Sequence, residues 1–573
     1  MKILLIYPYF LEDRVHVDEI SVPPQGIYYV AAFCKRHGHE VDVLNWFDIH
    51  RTPHKIRETL VEKQPDVIGF SILHANRWGG IDIAATAKEV DPGVRIVFGG
   101  IGASYLWKHL LTHFVQIDYV VIGEGEHSFL KLVQCLTEGR YADVSSIGGI
   151  ALRQDGKAVR TDCDDQIKDL DALANPAQYY TYQHVSLTRG CPGGCTFCGS
   201  PSFWQRKVRF HSPVYLVDQL EYLTHKGVRH FFFSDDIFTV NRNKVLEVCR
   251  LILDRNLQIS WQAISRVDMV NREILYWMRK AGCIQISFGV ESGSAKIRRL
   301  LNKNFTDSQI ERAFRLTTHY GILPRAYFIY GCPGETQETI KASIDLIRRI
   351  RPLSVIFYIL DLFPGTALYE VYKQAAGITD DIWLDRIEDI LYFETDPNLD
   401  REQVQSFGRE LRQCFYEGLP DAVAAVELED REDLFGLHAD FLSRLALTFD
   451  HGDYSGIEAI PNRTSIAENL YRKALMYYPD QRAYLGLGII LQKGGRPGDS
   501  CEILEEGLRH FPQNEHLNIC LGVSLMNQGR FEKALSVMRP FEHSRQALGY
   551  IAECYKALDD LETAARFRGK MTM

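Results

Sequence analysis

Cys191, Cys195 and Cys198 fall within eight residues of one another, in a loop with Pro192, Gly193 and Gly194, directly behind the apolar stretch HVSLTR (184–189). No other feature constrains the chain as strongly. The stretch reads as a strand, and the proline and glycines let the chain behind it curl around a compact object. Thiolates are soft ligands that select zinc or iron–sulfur clusters. A structural zinc site takes four closed ligands, and no fourth cysteine lies close by; His211 is the fourth ligand of that reading. Three thiolates on a four-iron cluster instead leave one iron uncapped, open to a substrate-like ligand. The other ten of the 13 cysteines are scattered singly. They read as small buried hydrophobes of a reducing compartment.

With 573 residues, 46% hydrophobic and 24% charged, the chain has the composition of a soluble globular protein of two to four domains. The 65 Lys and Arg against 74 Asp and Glu leave a formal charge of -9. This balance excludes a nucleic-acid backbone as the main ligand, because phosphate binding needs concentrated positive charge. No run of 18 or more apolar residues is present, so no membrane span is expected. The N-terminal MKILLIYP, cut short by Glu12, Asp13 and Arg14, reads as a first strand and not a signal peptide, and the protein is read as cytoplasmic.

Residues 1–130 alternate apolar runs with amphipathic stretches. KILLIYP (2–8), EVDVLNW (40–46), DVIGFSIL (66–73), VRIVFGG (94–100) and DYVVIGEGE (118–126) read as strands; 27–38, 81–90 and 105–114 read as helices. The alternation predicts an α/β fold with a parallel sheet covered on both faces. Ligands of such sheets bind at the carboxyl ends of the strands, where Gly99, Gly100, Gly123 and Gly125 fall. Two readings of these glycines stand: close approach of a ligand to the backbone, or simply tight turns between strand and helix.

Together PPQGIYYVAAFCKRHGHEV (23–41), PDVIGFSIL (65–73), VRIVFGG (94–100) and DYVVIGEGE (118–126) resemble the Rossmann-like cobalamin-binding domain of B12-dependent radical enzymes. The resemblance implies that Ser71 and Leu73 of an S-x-L motif, with Gly99 and Gly100, line a groove for the nucleotide tail of cobalamin. Gly123, Glu124, Gly125 and Glu126 stand as further cofactor-binding candidates at the next strand end. The D-x-H-x-x-G motif, whose histidine lies beneath cobalt, is absent; Tyr7-Pro8-Tyr9-Phe10-Leu11-Glu12 stands in its place. That departure is common in the radical-enzyme branch. His74 reads as a polar loop histidine, with cobalt ligation the lesser reading.

Arg189-Gly190-Cys191-Pro192-Gly193-Gly194-Cys195-Thr196-Phe197-Cys198 resembles the cluster loop of the radical S-adenosylmethionine (SAM) superfamily. Four further landmarks follow in the family's order: FFFSDDIFTVN (231–241), ISFGVESGS (286–294), YFIYGCPGET (327–336) and ILDLFPGTALYE (359–370). The resemblance spans residues 180–375 and implies a partial (β/α)6 radical SAM barrel. Cys191, Cys195 and Cys198 would hold a 4Fe-4S cluster, with Phe197 and Glu291 contacting S-adenosylmethionine. By the same resemblance, one electron from a donor of flavodoxin or ferredoxin type would yield a 5′-deoxyadenosyl radical that takes a hydrogen atom from an unactivated carbon. Methylcobalamin opposite it would supply a methyl group.

Residues 380–455 hold helix-like material with charged patches such as ELEDREDLFG (427–436), read as a connector or a cap. After 455 an internal repeat appears: Leu487-Gly488 and Leu521-Gly522, Gly495 and Gly529, Asp480 and Asn514 are each 34 residues apart. That period marks all-α tetratricopeptide-like repeats, which either present a concave face to a protein partner or only cap or dimerise the catalytic part. The expected domains are 1–170 for cobalamin, 178–378 for the radical SAM barrel, 379–455 for a helical connector and 456–573 for the repeats. The leading function is a cobalamin-dependent radical SAM methyltransferase acting on a small-molecule or peptide substrate. An oxidative cyclase or rearrangement enzyme with the same cofactors, and a repeat-based adaptor with a vestigial catalytic half, are the alternatives. Radical methylthiotransferases fit less well, since neither their extra cluster cysteines nor a β-rich RNA-binding module is found.

Overall fold

The computed structural model describes residues 1–11, 21–162 and 166–571; Glu12, Asp13, Arg14 and Cys163 lie outside them. The chain divides into two compact units, one of residues 1–310, 326–346 and 356–411, the other of residues 311–325, 347–355 and 412–573.

The first unit begins with strands β1 (Lys2–Tyr7), β2 (Glu40–Asn45), β3 (Val67–Ser71), β4 (Arg95–Gly99), β5 (Tyr119–Val121), β6 (Ile150–Gln154) and β7 (Lys157–Arg160), in the order β2-β1-β3-β4-β5-β6-β7. Strands β1 to β5 pair in parallel. Because side chains alternate across a strand, β1 sends Leu4 and Ile6 to one apolar cluster and Ile3 and Leu5 to another. Both faces are therefore covered, as the unbroken apolar runs require. The order 2-1-3-4-5 is doubly wound, with its switch point between β1 and β3.

The parallel reading of residues 1–130 holds through β5, and the sheet continues beyond that stretch. There β6 and β7 form an antiparallel hairpin, turning at Asp155 and Gly156, which both have positive φ (50° and 75°). Helices His54–Lys63 and Gly125–Thr137 add to those foreseen. The first buries only Ile56 and Leu60, so it carries almost no apolar periodicity. The helices expected at 81–90 and 105–114 start earlier, at Arg77 and Ile101, because glycines in their first turns mask the helical pattern.

HVSLTR is not one strand. It divides into β8 (His184–Val185) and β9 (Thr188–Arg189), the latter antiparallel to β10 (Arg209–Phe210). Then come β11 (His230–Phe233), β12 (Ser260–Ser265), β13 (Cys283–Glu291), β14 (Leu323–Tyr330) and β15 (Ser354–Ile359). A six-stranded sheet runs β8-β11-β12-β13-β14-β15, in chain order, and β8, β11, β12 and β13 pair in parallel. Helices such as Pro213–His225, Arg242–Asp254 and Gln337–Ile350 lie between the strands. This is the partial (β/α)6 arrangement, with the cysteine loop at the strands' carboxyl ends.

The segment 379–400 holds short 3-10 turns, Asp380–Leu384 and Tyr392–Thr395, where a helical connector was expected. Its Trp383 and Ile390 are buried in the same apolar cluster as Leu4 and Phe70. Long helices begin with Arg401–Ala424.

The second unit is mainly helical. Gln481–Lys493 and Glu515–Asn527 start 34 residues apart, as do Pro497–His510 and Phe531–Met538. Asp480 and Asn514 cap the first pair by accepting from the N–H groups of Ala483 and Leu517. Gly488 and Gly522 bring the paired helices together: a Cβ would lie 2.8 Å from Leu504 in one hairpin and 2.4 Å from Met538 in the next. A third hairpin, Arg545–Ala557 with Leu561–Lys570, follows after 30 residues. No helix among the described residues is long and apolar enough to cross a membrane.

The turn after β4 sets one prediction. Gly100 has φ +93°, and a Cβ there would lie 2.6 Å from the Ile72 carbonyl oxygen, whereas Gly156, also at positive φ, faces open space. Gly100→Ala is expected to cost about 1–3 kcal/mol in urea denaturation, more than Gly156→Ala; equal costs would show that the close approach to Ile72 does not matter.

Candidate active site

The cysteine loop is tied down from several sides. Asn302 Nδ2 donates to the Gly194 carbonyl at 2.6 Å, and Thr196 N–H donates to the Leu301 carbonyl while its own carbonyl accepts from Leu368 N–H, in the helix Ala367–Ala376 behind the Pro-Gly-Thr turn. Tyr105, from the helix Ile101–His113, donates to the Gly199 carbonyl at 2.8 Å. Cys191, Cys195 and Cys198 are half-buried, while every other described free cysteine is buried, as expected for inert thiols. Burial pushes the Cys198 thiol up to about 12 and raises Cys191 as well, so loading a metal displaces protons.

The donor set fits a cluster better than a single ion. A tetrahedral zinc with bonds of about 2.3 Å draws its sulfurs to within roughly 4 Å of each other. Among the described residues the group of three potential ligand atoms gathered within 4.8 Å is His109, His113 and Asp381; the three sulfurs spread wider. His211, the fourth zinc ligand of the alternative, is committed elsewhere. Its Nδ1 lies 3.1 Å from Asp171 and its Nε2 3.2 Å from the Tyr29 hydroxyl, between the rings of Tyr29 and Tyr215.

Opposite the loop, a cavity of about 330 Å³ opens at the carboxyl ends of β3, β4 and β5. Ser71, Leu73, Gly99, Gly100, Gly123, Glu124, Gly125 and Glu126 all line it. So do Thr188, Arg189 and Gly190 leading into the cysteine loop, Phe203 and Trp204 behind it, and Ser234 and Asp236 beyond β11. At Gly99 nothing lies closer than 3.8 Å to where a Cβ would sit, and at Gly26 nothing lies within 4 Å. Side chains there would fill the groove. This glycine-floored, largely aliphatic wall suits the nucleotide tail of a corrinoid. The segment after β1 turns away: Tyr9 donates to Asp82 at 2.6 Å. His74 does not face the cavity either; it is buried with its ring edge-on to Trp383, 4.1 Å between centroids.

Glu124 and Glu126 line the cavity, but their carboxylates are taken by arginines. Arg189 donates to Glu124 at 2.7 Å and to Glu126 at 2.6 Å, and Arg209 donates to Glu124 at 2.6 Å. Burial alone would raise Glu124; the two guanidiniums bring it below its ordinary value. This network was not legible in the sequence, because its members are 63 to 85 residues apart.

Glu291 ends β13 with φ +64°, a strained conformation for a non-glycine residue. Its buried carboxylate pairs with Lys303 at 2.8 Å, and Lys303 also lies 5.9 Å from the centre of the Phe197 ring. Burial pulls Lys303 down, but Glu291 and Cys195 outweigh it and hold the ammonium above its usual range. Lys303 and Arg266 place positive charge beside Cys195 and Cys191, which favours an anionic cluster. Asp236 brings negative charge beside Cys191 and Cys198; it accepts from Ser200 at 2.7 Å, and burial raises its carboxyl. Cys332, in the Gly-Cys-Pro-Gly-Glu-Thr turn, is buried, and Glu335 accepts from its N–H at 3.1 Å.

Comparison with known proteins agrees with this geometry. The radical SAM superfamily model matches residues 185–347, and the B12 binding domain model matches residues 14–133. The chain thus joins a B12-binding domain to a radical SAM domain. Its relatives include methyltransferases, anaerobic cyclases and a putative methylthiotransferase. An uncharacterized methyltransferase of Pyrococcus horikoshii is 29% identical over 382 residues, 65% of this chain and 83% of that protein. The anaerobic magnesium-protoporphyrin IX monomethyl ester cyclase of Rubrivivax gelatinosus is 30% identical over 370 residues, 61% of this chain and 66% of that protein. The radical SAM methyltransferase TsrM of Kitasatospora setae, solved with cobalamin and a 4Fe-4S cluster bound, shares the fold. Its TM-score is 0.60 at 17% identity, covering 83% of this chain and 99% of that one.

Replacing Arg189 with methionine removes the cation from Glu126 and half the pairing of Glu124. Stranding a buried charge in this way is expected to destabilise the apo protein by about 3–5 kcal/mol in anaerobic urea denaturation. A loss below about 1 kcal/mol, typical of an exposed pair, would contradict the buried network.

Proposed function

We propose that the chain is a cobalamin-dependent radical SAM methyltransferase acting at an unactivated carbon. One observation carries this reading: a single cavity is walled by the glycine-rich strand ends of the B12-binding domain and by Arg189, Gly190 and Asp236 around the cysteine loop. When bound, the cluster with S-adenosylmethionine would supply a 5′-deoxyadenosyl radical and the cobalamin a methyl group.

The chain's own residues have separable tasks. Cys191, Cys195 and Cys198 hold three corners of the cluster. Glu291 and Lys303, paired at 2.8 Å, present an acidic and a basic group for the ammonium and carboxylate of S-adenosylmethionine, and Phe197 packs beside them. Ser71, Leu73, Gly99, Gly100 and the Gly123–Glu126 run seat the cobalamin tail. The apolar wall with Phe203 and Trp204 excludes water from the reacting carbon. A flavodoxin- or ferredoxin-type donor reduces the cluster, and the substrate is a small molecule or a peptide. The 34-residue helical hairpins act as tetratricopeptide-like repeats that dock a protein partner. The division into 1–170, 178–378, 379–455 and 456–573 belongs to the same reading.

A cyclase reading keeps both cofactors and draws on the cyclase relatives. Anaerobic reconstitution is expected to load about four iron atoms per chain and one cobalamin, with Cys195→Ala losing iron and keeping cobalamin. Incubated with deuteromethyl-labelled S-adenosylmethionine and a strong reductant, the holoenzyme should yield labelled methylcobalamin by mass spectrometry. Formation of 5′-deoxyadenosine without any labelled methylcobalamin would favour the cyclase; failure to bind cobalamin would end both readings.

A further inference from the structure

Away from the cavity, His109 and His113 stand one turn apart on the helix Ile101–His113, beyond its break at Leu106. Asp381, from the turn Asp380–Leu384, faces them. His113 Nε2 lies 3.0 Å and His109 Nδ1 4.0 Å from Asp381 Oδ1, and one ligand atom from each residue falls within 4.8 Å of the others. His109 is 6% exposed, yet neither of its ring nitrogens has a hydrogen-bond partner. A buried imidazole in that state forfeits both a donor and an acceptor, at a cost of about 1–3 kcal/mol for each unsatisfied group. Such a site is rare in native proteins unless something else takes the lone pair.

We propose that His109, His113 and Asp381 bind a divalent transition-metal ion of the zinc class. Two imidazoles and a carboxylate are ordinary ligands for such ions, and the i, i+4 spacing puts both rings on one helix face. Bonds of about 2.0–2.2 Å are reached by small rotations of Asp381, which gives up its contact with His113. The fourth position opens to solvent on the side of Asp381, whose side chain is 62% exposed.

The ion would staple the segment 380–390 to the N-terminal domain. That segment is already gripped nearby: Arg77 donates to the carbonyls of Ile387 and Glu388, and Trp78 Nε1 donates to Asp385 at 3.2 Å. Arg77 opposes a cation at His109, while Asp380 and Asp381 favour one. Asp380 is occupied by Tyr369 and Lys373, which leaves Asp381 as the ligand. None of the three residues belongs to the cavity or the cysteine loop.

The test uses the full chain with its cluster already reconstituted, so that the cysteines do not compete, and adds one equivalent of zinc. The wild type should retain one zinc per chain beside its iron and unfold at a higher temperature than without zinc. His113→Gln and Asp381→Asn alter half-exposed and exposed side chains, so folding should survive, as circular dichroism would confirm. Each should weaken zinc binding about tenfold or more and abolish the thermal shift, while iron content and visible absorption stay unchanged. No retained zinc in the wild type, or equal retention in both variants, overturns the proposal.

Discussion

One buried guanidinium sets the relation between the two halves of the site. Arg189 enters the cysteine loop two residues before Cys191 and is held by Glu124 and Glu126, on either side of Gly125 at the start of the helix after β5. A charge taken out of water is tolerated only with matched partners. Here Glu124 is shared by Arg189 and Arg209 and Glu126 pairs with Arg189, the Ile167 N–H donates to Glu124 as well, and Arg209 keeps its Nε and Nη2 buried without a hydrogen bond. Apolar packing would allow the loop to slide against the strand ends. Hydrogen bonds of fixed direction do not, so the cysteines and the glycine floor keep one register.

The cavity follows from that register. Its floor consists of glycines and small aliphatic groups because strand ends of a doubly wound sheet must let a ligand near the backbone. Its roof comes from the loops after β9 and β11. Both signs of charge reach the thiols: Lys303 and Arg266 stand beside Cys195 and Cys191, while Asp236, held by Ser200, stands beside Cys191 and Cys198. The cysteines do not line this cavity themselves; Arg189 and Gly190, which lead into their loop, do.

Local patterns made most of this legible in the sequence. The thiol triplet, the S-x-L and Gly-Gly pairs and the GEGE run are contiguous motifs, and all eight residues assigned to cobalamin meet at one cavity. What escaped was either non-local or masked. Lys303 and Arg209 carry no motif; only the fold brings them to Glu291 and Glu124. HVSLTR looks like one strand because its apolar content is continuous, yet Asp235 accepts from the N–H groups of Leu187 and Thr188 and thereby breaks the ladder. The β6–β7 hairpin did carry a signal, Asp155-Gly156 between alternating residues. In the C-terminal unit the 34-residue period was visible because each hairpin needs the same cap and the same small residue at its closest approach.

The proposed cluster and cobalamin sites meet across Arg189 and Gly190, and electron paramagnetic resonance tests that proximity most directly. In holoenzyme prepared with cob(II)alamin, reducing the cluster should broaden the cobalt signal and speed its relaxation, and Cys195→Ala should abolish the effect. A cobalt spectrum unchanged by cluster reduction would place the two centres apart and contradict that proximity.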